Sequence, residues 1–209
     1  MTILEGFPCG PFQTNAYILA CSETHKGVFI DPAPESLDVL TEAATGYKME
    51  GILLTHSHWD HIADLKALKR SFHIPVYVHP LDAKNVRTPG SDGVPLAFPI
   101  EGVEPDYDLN DGQIFNLGHL ELYVIHTPGH TPGGVCFYLE KEKILIAGDT
   151  LFKGAIGKLS LPTADPSAMW KSLKKLEKLP PETRVYSGHG PPTTIGAESW
   201  LPRAKELFS

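Results

Sequence analysis

The sequence predicts an α/β fold, and three observations support this prediction. An apolar run at 51–54, a helical pattern at 60–72 and a second apolar run at 75–78 form a β-α-β unit. Further short strand-like runs lie before and after this unit. The chain has 209 residues, of which 42% are hydrophobic and 21% are charged, an ordinary composition for a globular protein with one domain or at most two.

The region before the β-α-β unit is predicted to contain three strands and one helix. The last two strands are joined by a polar turn at 22–27. The helix is predicted at 35–45, because Leu37, Leu40 and Ala44 recur at helical spacing on one face. The three strands are predicted at 2–7, 16–21 and 28–30.

The region after the unit begins with an irregular segment. Residues 87–108 are rich in Pro, Gly and Asp, a composition typical of loops. Further along, Asp165 followed by Pro166 predicts the N-terminus of a helix whose apolar stripe includes Leu173. The remaining elements are predicted strands at 113–116, 119–126, 134–140, 143–148 and 184–187 and a final helix at 196–208.

The strongest functional signal is the segment HSHWDH, which joins a predicted strand to the following helix. Residues i and i+2 of an extended segment point the same way, so His56 and His58 can bind one metal ion from one side. The chain turns at the start of the helix and aims Asp60 and His61 elsewhere. Imidazole and carboxylate ligands suit Zn, Fe or Mn. The segment therefore predicts two pairs of ligands for two neighbouring metal ions.

Three further candidate ligands lie downstream, each at the end of a short strand-like run. His130 lies in TPGHTPGG, Asp149 follows the apolar run ILIAG, and His189 follows RVYSG. Each of the three is preceded by glycine, which lets the backbone approach a site closely. They can supply the additional ligands that two metal ions need.

The complete set resembles the metallo-β-lactamase superfamily of hydrolases. The resemblance rests on HxHxDH, a lone His in TPGHT, Gly-Asp-Thr after a strand and a late Gly-His, in the order typical of that family. It extends over nearly the whole chain. It implies a four-layer αββα sandwich, with the metal site at one edge between two sheets, and a single domain of this kind over 1–209.

The resemblance also implies a role for each ligand. It implies two divalent metal ions, expected to be zinc, with iron or manganese as alternatives. A hydroxide that bridges the two ions would attack a substrate carbonyl, and Asp60 and Asp149 would be the catalytic carboxylates. The first ion would be bound by His56, His58 and His130, the second by Asp60, His61 and His189, and both by Asp149.

Within the superfamily, the chain looks most like glyoxalase II, the hydroxyacylglutathione hydrolase. The similar stretches include GDTLF at 148–152, Gly157-Lys158 and LPPETRVYSGH at 179–189. That family hydrolyses S-D-lactoylglutathione, a thioester whose thiolate leaving group departs without a strong general acid. The resemblance implies that Lys158 contacts glutathione. We therefore expect a small-molecule substrate, either this thioester or a related acyl thioester.

Several glutathione contacts of glyoxalase II are replaced. Ser160 stands where that family has a tyrosine, and Gly190-Pro191 stands where it commonly has Glu-Tyr. Its C-terminal helical substrate domain is expected to be absent, because the chain ends at Ser209. The chain therefore resembles a subgroup of short glyoxalase II-like proteins.

Three other functions are compatible with parts of the pattern. A persulfide dioxygenase has the same fold with one iron on two His and an Asp, whereas the second ligand set is complete here. A lactonase or a β-lactamase is also possible, although the aspartate at 149 in place of a cysteine argues against a β-lactamase. A non-catalytic metal-binding protein would be expected to lack one or two ligands.

Composition and charge limit the binding partners and the cellular location that the sequence predicts. The net charge of −7 argues against a nucleic-acid partner. The N-terminus has no pattern of a secretion signal, and no run has the length of a membrane helix. Cys9, Cys21 and Cys136 are odd in number and show no ligand spacing, so we expect free thiols. These features predict a cytoplasmic protein without a membrane partner. They predict no oligomeric state.

Other residues near the candidate site are expected to have structural roles. His126 is predicted to be a hydrogen-bonded structural histidine, and Asp31 to stabilise a turn. A structural role is favoured for His79 over support of a ligand. Trp59 either packs beneath the site or lines its mouth. Surface positions are predicted for His25, His73 and His119.

Overall fold

Two six-stranded sheets organise the protein in the computed structural model, which describes residues 1–208. The strands are β1 (Thr2–Cys9), β2 (Thr14–Cys21), β3 (Lys26–Ile30), β4 (Lys48–Leu53), β5 (Val76–Val78), β6 (Tyr107–Asp108), β7 (Ile114–Leu117), β8 (Leu120–His126), β9 (Val135–Leu139), β10 (Ile144–Gly148), β11 (Leu151–Phe152), β12 (Ala155–Ile156), β13 (Arg184–Ser187) and β14 (Thr193–Thr194). The helices are α1 (Leu37–Ala43), α2 (Trp59–Ile62), α3 (Leu65–Phe72), α4 (Ala83–Arg87), α5 (Pro166–Leu176) and α6 (Ala204–Phe208), with short 3₁₀ turns at Ile195–Ala197 and Leu201–Arg203.

The order of the strands differs between the two sheets. The first sheet has the order β1-β2-β3-β4-β5-β6, in which β1 to β3 are antiparallel and β3 to β6 are parallel neighbours. The second has the order β14-β13-β10-β9-β8-β7, in which β10 and β13 are parallel and the other neighbours are antiparallel. The strands β4 and β5, with the helices between them, form the predicted β-α-β unit.

The first sheet is covered on both faces. Every residue of β2 is buried, and successive side chains of a strand point to opposite faces. Ala16 and Ile18 pack in the cluster that contains Leu40 of α1. Tyr17 and Leu19 pack in the cluster that lies between the two sheets. This double coverage explains why the strand is apolar throughout, without the alternation of a half-exposed strand.

The second sheet has the same alternation. Phe137 and Ile146 face the first sheet, whereas Tyr138 and Leu145 pack in the cluster that contains Leu173 of α5. The three apolar clusters therefore separate four layers, in the order helix, sheet, sheet, helix. This arrangement confirms the predicted αββα sandwich.

The N-terminus of α5 forms as the sequence predicts. Asp165 is the N-cap residue, and its Oδ1 atom accepts a hydrogen bond of 3.1 Å from the backbone N–H of Ala168. Pro166 is the first helical residue, where its missing N–H costs no hydrogen bond.

The predicted continuous helix at 60–72 is wrong, because the chain forms two shorter helices, α2 and α3. The interruption lies at Asp64, whose carboxylate accepts hydrogen bonds from the backbone N–H groups of Ser36 at 2.8 Å and Leu37 at 3.0 Å. These N–H groups begin α1 and have no partner within that helix. A contact between distant parts of the chain therefore overrides the local periodicity.

The predicted final helix at 196–208 is also wrong, because two 3₁₀ turns precede the short helix α6. Glu198 has non-helical backbone angles and its carboxylate accepts hydrogen bonds from Gly154 N at 2.8 Å and Trp200 Nε1 at 2.5 Å. Pro202 has no N–H for a helical hydrogen bond. The segment predicted as a loop at 87–108 begins at the end of α4 and ends with β6, and neither element was predicted.

No helix within residues 1–208 is long and apolar enough to cross a membrane. Cys9, Cys21 and Cys136 are free thiols in this part of the chain, as predicted.

Candidate metal centre

The candidate ligands follow the ends of strands at one edge of the sandwich. The segment with His56 and His58 follows β4, His130 lies between β8 and β9, Asp149 follows β10, and His189 follows β13. His58 has extended backbone angles of φ −60° and ψ 146° and precedes α2, which contains Asp60 and His61. The change from extended chain to helix therefore aims the two pairs in different directions, as the sequence predicts.

Three histidines form the first group of possible ligand atoms. One nitrogen of each ring lies within 4.8 Å of the others, and Nδ1 of His58 is 2.9 Å from Nε2 of His130. All three side chains are buried. Members of this group are His56, His58 and His130.

A second group of three ligand atoms lies beside the first, and Asp149 lies between them. The second group consists of Asp60, His61 and His189, with its atoms again within 4.8 Å of one another. Asp149 Oδ2 is 3.3 Å from Nε2 of His130, and its Oδ1 is 3.4 Å from Nε2 of His61. The structure thus brings all seven predicted side chains together, with the Asp149 carboxylate next to both groups.

The donor set fits divalent metal ions. Within residues 1–208, four buried polar atoms at this centre have no hydrogen-bond partner, although buried polar groups normally have one. Imidazole nitrogens and carboxylate oxygens are the ligands that zinc and iron take in such sites. These four atoms are Nε2 of His56, His58 and His61 and Oδ1 of Asp149.

Glycines allow the ligands to approach one another. A Cβ atom at Gly188 would lie 2.1 Å from Oδ1 of Asp149 and 2.7 Å from Cε1 of His61. A Cβ atom at Gly148, which has φ +47°, would lie 2.5 Å from Oγ1 of Thr55. All three distances are shorter than any tolerable contact, so glycine is required at these two strand ends.

Hydrogen bonds orient four of the five imidazoles from behind. Such bonds fix the ring and direct its other nitrogen toward the centre. The partners are a mixture of side-chain and backbone oxygens. The pairs are His56 Nδ1 with Thr55 Oγ1 at 3.1 Å, His61 Nδ1 with Asp31 Oδ2 at 2.9 Å, His130 Nδ1 with Lys158 O at 3.0 Å and His189 Nδ1 with Phe12 O at 3.1 Å.

Asp31 has a larger role than the turn function expected from the sequence. It has φ +51° and is buried, and its carboxylate accepts hydrogen bonds from Thr55 N at 2.7 Å and Thr55 Oγ1 at 2.5 Å. The same carboxylate faces the ring of His61. Its position after β3, at the same edge as the ligands, is the signal that could have identified it.

Asp82 was not singled out from the sequence, although it joins two ligand-bearing turns. Its Oδ2 accepts a hydrogen bond from Ser57 N at 2.9 Å, and its Oδ1 accepts one from Gly133 N at 2.6 Å. Ser57 lies between His56 and His58, whereas Gly133 belongs to the turn of His130. No local sequence pattern links these positions, which are 25 and 51 residues from Asp82.

The carboxylates at the centre are held in the ionised form. Burial raises the pKa of Asp60, but the charge of His61 and hydrogen bonds from His189 and Thr14 outweigh it and lower the pKa to about 2. Burial likewise raises the pKa of Asp149, but His61 and further imidazoles lower it well below the usual range. Both groups are therefore anionic at neutral pH, as metal ligands must be.

The imidazoles divide into two classes. Burial lowers the pKa of His56 well below its usual range and that of His58 to about 3, so both rings are neutral. Burial also acts to lower the pKa of His61 and His189, but the neighbouring carboxylates outweigh it. The pKa of His61 rises well above its usual range and that of His189 to about 9. Metal binding at these two rings would release a proton.

A cleft of about 540 Å³ leads to the candidate centre. Lys158 is exposed and lines this cleft. Trp59 is buried, yet it also lines the cleft and contacts Phe12 and Phe98, with ring centroids 5.1 and 5.5 Å away. It therefore packs at the site and forms part of its mouth. A larger cleft of about 710 Å³ beside α3 contains none of the seven side chains, so volume alone does not identify the site.

The remaining histidines behave largely as expected. His126 Nε2 lies 2.9 Å from the carbonyl oxygen of Pro132, and its ring stacks on His79 with centroids 4.1 Å apart. This stacking accounts for the burial of His79. Exposed positions are occupied by His25, His73 and His119.

Comparison with known proteins finds relatives over nearly the whole chain. Residues 9–189 match the metallo-beta-lactamase superfamily. An uncharacterised protein of Aquifex aeolicus is 39% identical over 99% of both chains, and the Bacillus subtilis probable metallo-hydrolase YqgX is 34% identical over 91% of this chain and 92% of its own. The hydroxyacylglutathione hydrolase of Rhizobium etli is 40% identical over 86% of this chain and 66% of its own.

Solved structures are similar over nearly the whole chain. The BLEG-1 B3 metallo-beta-lactamase has a TM-score of 0.88 and 35% identity, and the match covers 99% of this chain and 100% of the other. TTHA1623, solved in a di-iron-bound form, has a TM-score of 0.81 and 40% identity over 93% and 96% of the two chains.

Proposed function

Because this chain belongs to the metallo-β-lactamase superfamily, we propose that it is a dinuclear metal-dependent hydrolase of acyl thioesters, S-D-lactoylglutathione among them. The observation that carries the proposal is the convergence of seven imidazole and carboxylate side chains, four of whose buried atoms lack a partner within residues 1–208. In this proposal, the first ion is bound by His56, His58 and His130, the second by Asp60, His61 and His189, and both by Asp149.

The proposed cofactors are two divalent ions, with zinc as the first candidate and iron as the alternative. Iron is retained because TTHA1623, which is 40% identical, was solved in a di-iron-bound form. Two bound ions would activate a water molecule and polarise the substrate carbonyl. The protein contributes anionic Asp60 and Asp149, neutral His56 and His58, and the hydrogen bonds that aim these groups.

The chemistry of the leaving group favours a thioester. Among the described residues that line the cleft, the only carboxyl groups are those of Asp60 and Asp149, and both are ionised proposed ligands. Neither can donate a proton to a strongly basic leaving group. A thiolate with a pKa of about 8.5 leaves without such help, whereas an amine does not.

Lys158 is proposed to bind a carboxylate of the thiol carrier. Its backbone oxygen accepts a hydrogen bond from His130, which anchors the lysine beside the first proposed metal site. Its side chain is exposed at the cleft, so the ammonium group is accessible to a substrate that enters the site. Since Ser160 and Gly190 stand where glyoxalase II has other contacts, we expect weak binding of glutathione thioesters.

The proposal is tested with metal-free protein that is reloaded with zinc or with iron. The substrate panel contains S-D-lactoylglutathione, simple acyl thioesters, an ester, a lactone, a β-lactam and a persulfide, the last with an oxygen electrode. Two metal ions per chain and preferential thioester hydrolysis are expected. One iron per chain with oxygen consumption would instead identify a persulfide dioxygenase, and inactivity toward the whole panel would support a non-catalytic metal-binding protein.

The role of Lys158 is tested with Lys158→Ala and a matched control, Lys153→Ala, which removes an exposed lysine that does not line the cleft. A contact that stabilises the bound substrate and the transition state equally lowers KM without changing kcat. Its loss therefore raises KM and leaves kcat little changed. We expect this result for Lys158→Ala with glutathione thioesters and no change for the control. Equal KM values in both variants would exclude the lysine as a carrier contact.

A second candidate is β-lactam hydrolysis, because the BLEG-1 B3 metallo-beta-lactamase is 35% identical over 99% of this chain. This candidate would be favoured if the β-lactam has the highest kcat/KM in the panel. The lack of a protonated carboxyl group among the described cleft residues makes it the weaker candidate.

A further inference from the structure

Two aromatic residues, Phe12 and Trp59, line the cleft, and a third, Phe98, packs against Trp59. Phe12 and Phe98 each contact the ring of Trp59, and we refer to Phe12, Trp59 and Phe98 as the aromatic rim. Phe12 is 57% exposed and Phe98 is 39% exposed, so apolar carbon is left in contact with water beside the proposed reaction centre. Exposed apolar surface that is concentrated at one concave site is typical of a ligand-binding position.

The aromatic rim lies at the second proposed metal site. The backbone oxygen of Phe12 accepts a hydrogen bond of 3.1 Å from His189, and Trp59 directly precedes Asp60. Lys158 is anchored at the first site through His130. The cleft therefore contains a lysine that is anchored beside the first site and aromatic rings that adjoin the second.

An anchored loop adds further apolar side chains to the cleft lining. Val94, Pro95, Leu96 and Ala97 line the cleft together with Leu161. This loop is tied to the ligand-bearing turn through two side chains. Asn85 Nδ2 donates hydrogen bonds to Ser57 O at 2.7 Å and Asp92 Oδ2 at 3.0 Å, and Asp92 Oδ1 accepts one from Val94 N at 2.9 Å. The apolar wall thus has a defined position relative to the centre.

We propose that the aromatic rim and this loop bind the acyl group of the substrate and select unsubstituted apolar acyl chains over hydroxyacyl groups. The inference rests on the proposed thioesterase function and specifies its substrate class. With the carrier carboxylate at Lys158, the apolar side chains of the rim and the loop are left to receive the acyl chain. The only polar side-chain group of the rim is the indole N–H of Trp59. A hydroxyl group placed against the rim would therefore lose water without adequate replacement.

The test holds the thiol carrier constant and varies the acyl group. Acetyl-, butanoyl-, hexanoyl- and D-lactoyl-glutathione are hydrolysed by the metal-loaded protein, and kcat/KM is measured for each. Full burial of one methylene corresponds to about a fourfold gain, and this open cleft buries the chain in part, so we expect an increase of about two- to fourfold per methylene. Butanoylglutathione should also be a better substrate than D-lactoylglutathione.

Variants assign the preference to the rim. Phe12→Ala should reduce the increase per methylene to less than about twofold, because it removes a ring that lines the cleft. Phe98→Ala should have the same effect through Trp59, because it removes the ring that packs against this cleft residue. Ile114→Ala is the matched control, since Ile114 is 43% exposed on β7 and does not line the cleft. It should retain the full dependence on chain length. Metal content and thermal unfolding are measured for each variant, so that a loss of ions or of folding is detected separately.

The outcomes separate this inference from the proposed function. Hydrolysis of all four thioesters with equal kcat/KM, or a preference for D-lactoyl, would overturn the inference and leave the thioesterase assignment intact. An unchanged chain-length dependence in both Phe variants would overturn the assignment to the rim. Failure to hydrolyse any thioester would contradict the thioesterase function and this inference with it.

Discussion

The carboxylate of Asp82 accepts a hydrogen bond of 2.6 Å from the backbone N–H of Gly133. Its other oxygen accepts a bond of 2.9 Å from the backbone N–H of Ser57. One buried side chain therefore holds together the turn that contains His56 and His58 and the turn that contains His130. A Cβ atom at Gly133 would lie 2.5 Å from Asp82 Oδ1, so this approach requires glycine.

We predict that Asp82→Asn weakens metal binding at the first site. An amide nitrogen would face one of the two backbone N–H donors, so one hydrogen bond is lost and the turns separate. Loss of such a supporting contact lowers metal affinity by about 10- to 100-fold. Titration against a competing chelator should show one weakened and one normal ion.

The control for this variant is Asp38→Asn, which changes an exposed aspartate of α1. Urea unfolding of the metal-free forms measures the cost to the fold, expected at about 1–3 kcal/mol for Asp82→Asn. Two ions bound with unchanged affinity would show that Asp82 stabilises the fold without positioning the ligands.

Asp31→Asn is predicted to weaken binding of the second metal ion more than binding of the first, the reverse of the effect predicted for Asp82→Asn. The Asp31 carboxylate faces Nδ1 of His61, a proposed ligand of the second ion, and the substitution removes the charge that orients this ring. The second ion should therefore be weakened by about 10- to 100-fold, with the first ion less affected. Crystals grown with limiting metal, examined by anomalous scattering, would reveal which position is occupied. Loss of the first ion before the second would contradict the assignment.

Asp149→Ala is predicted to affect both ions, because this carboxylate lies 3.3 Å from His130 and 3.4 Å from His61. Metal content should fall from two ions per chain to one or none, and thioester hydrolysis should fall by several orders of magnitude. Elemental analysis and steady-state kinetics provide the two measurements. Two retained ions and near-normal turnover would show that the bridging ligand lies elsewhere.

The stability of the metal-free protein is predicted to fall as the pH decreases from about 6.5 to about 4. Burial lowers the pKa of His58 to about 3, so the folded protein leaves this ring neutral while the unfolded chain binds a proton below about pH 6.5. The raised pKa of His189 and the lowered pKa of Asp60 contribute little to the slope between about pH 5.5 and 4.5, because each group there has nearly the same charge in the folded and unfolded states.

The expected slope from His58 is about 1.4 kcal/mol per pH unit, to which His56 adds in the same direction. Urea unfolding of chelator-treated protein at a series of pH values measures it. His58→Asn should reduce the slope, and His25→Asn, at an exposed position, should not. A slope that is the same in both variants would falsify the assignment to His58.

Local pattern was sufficient for the part of the site within HSHWDH. The alternation of an extended segment places His56 and His58 on the same side, and the start of a helix redirects Asp60 and His61. Both effects depend only on the conformation of six consecutive residues. The apolar strand runs and the Asp165-Pro166 helix start are equally local, and they form as predicted. The remaining ligands were recognised through resemblance to a family, because His130, Asp149 and His189 have no spacing rule that links them to the first segment.

Contacts between distant segments account for what the sequence did not reveal. Asp64 interrupts a periodic helix because its carboxylate binds N–H groups nearly 30 residues away. Asp31 and Asp82 stabilise the candidate centre through partners 24 to 51 residues away in the chain. The spacing of a single aspartate in the sequence does not predict which backbone N–H groups its carboxylate will bind. Its partner depends on which strand ends meet at the edge of the sandwich, and that meeting follows from the packing of two sheets.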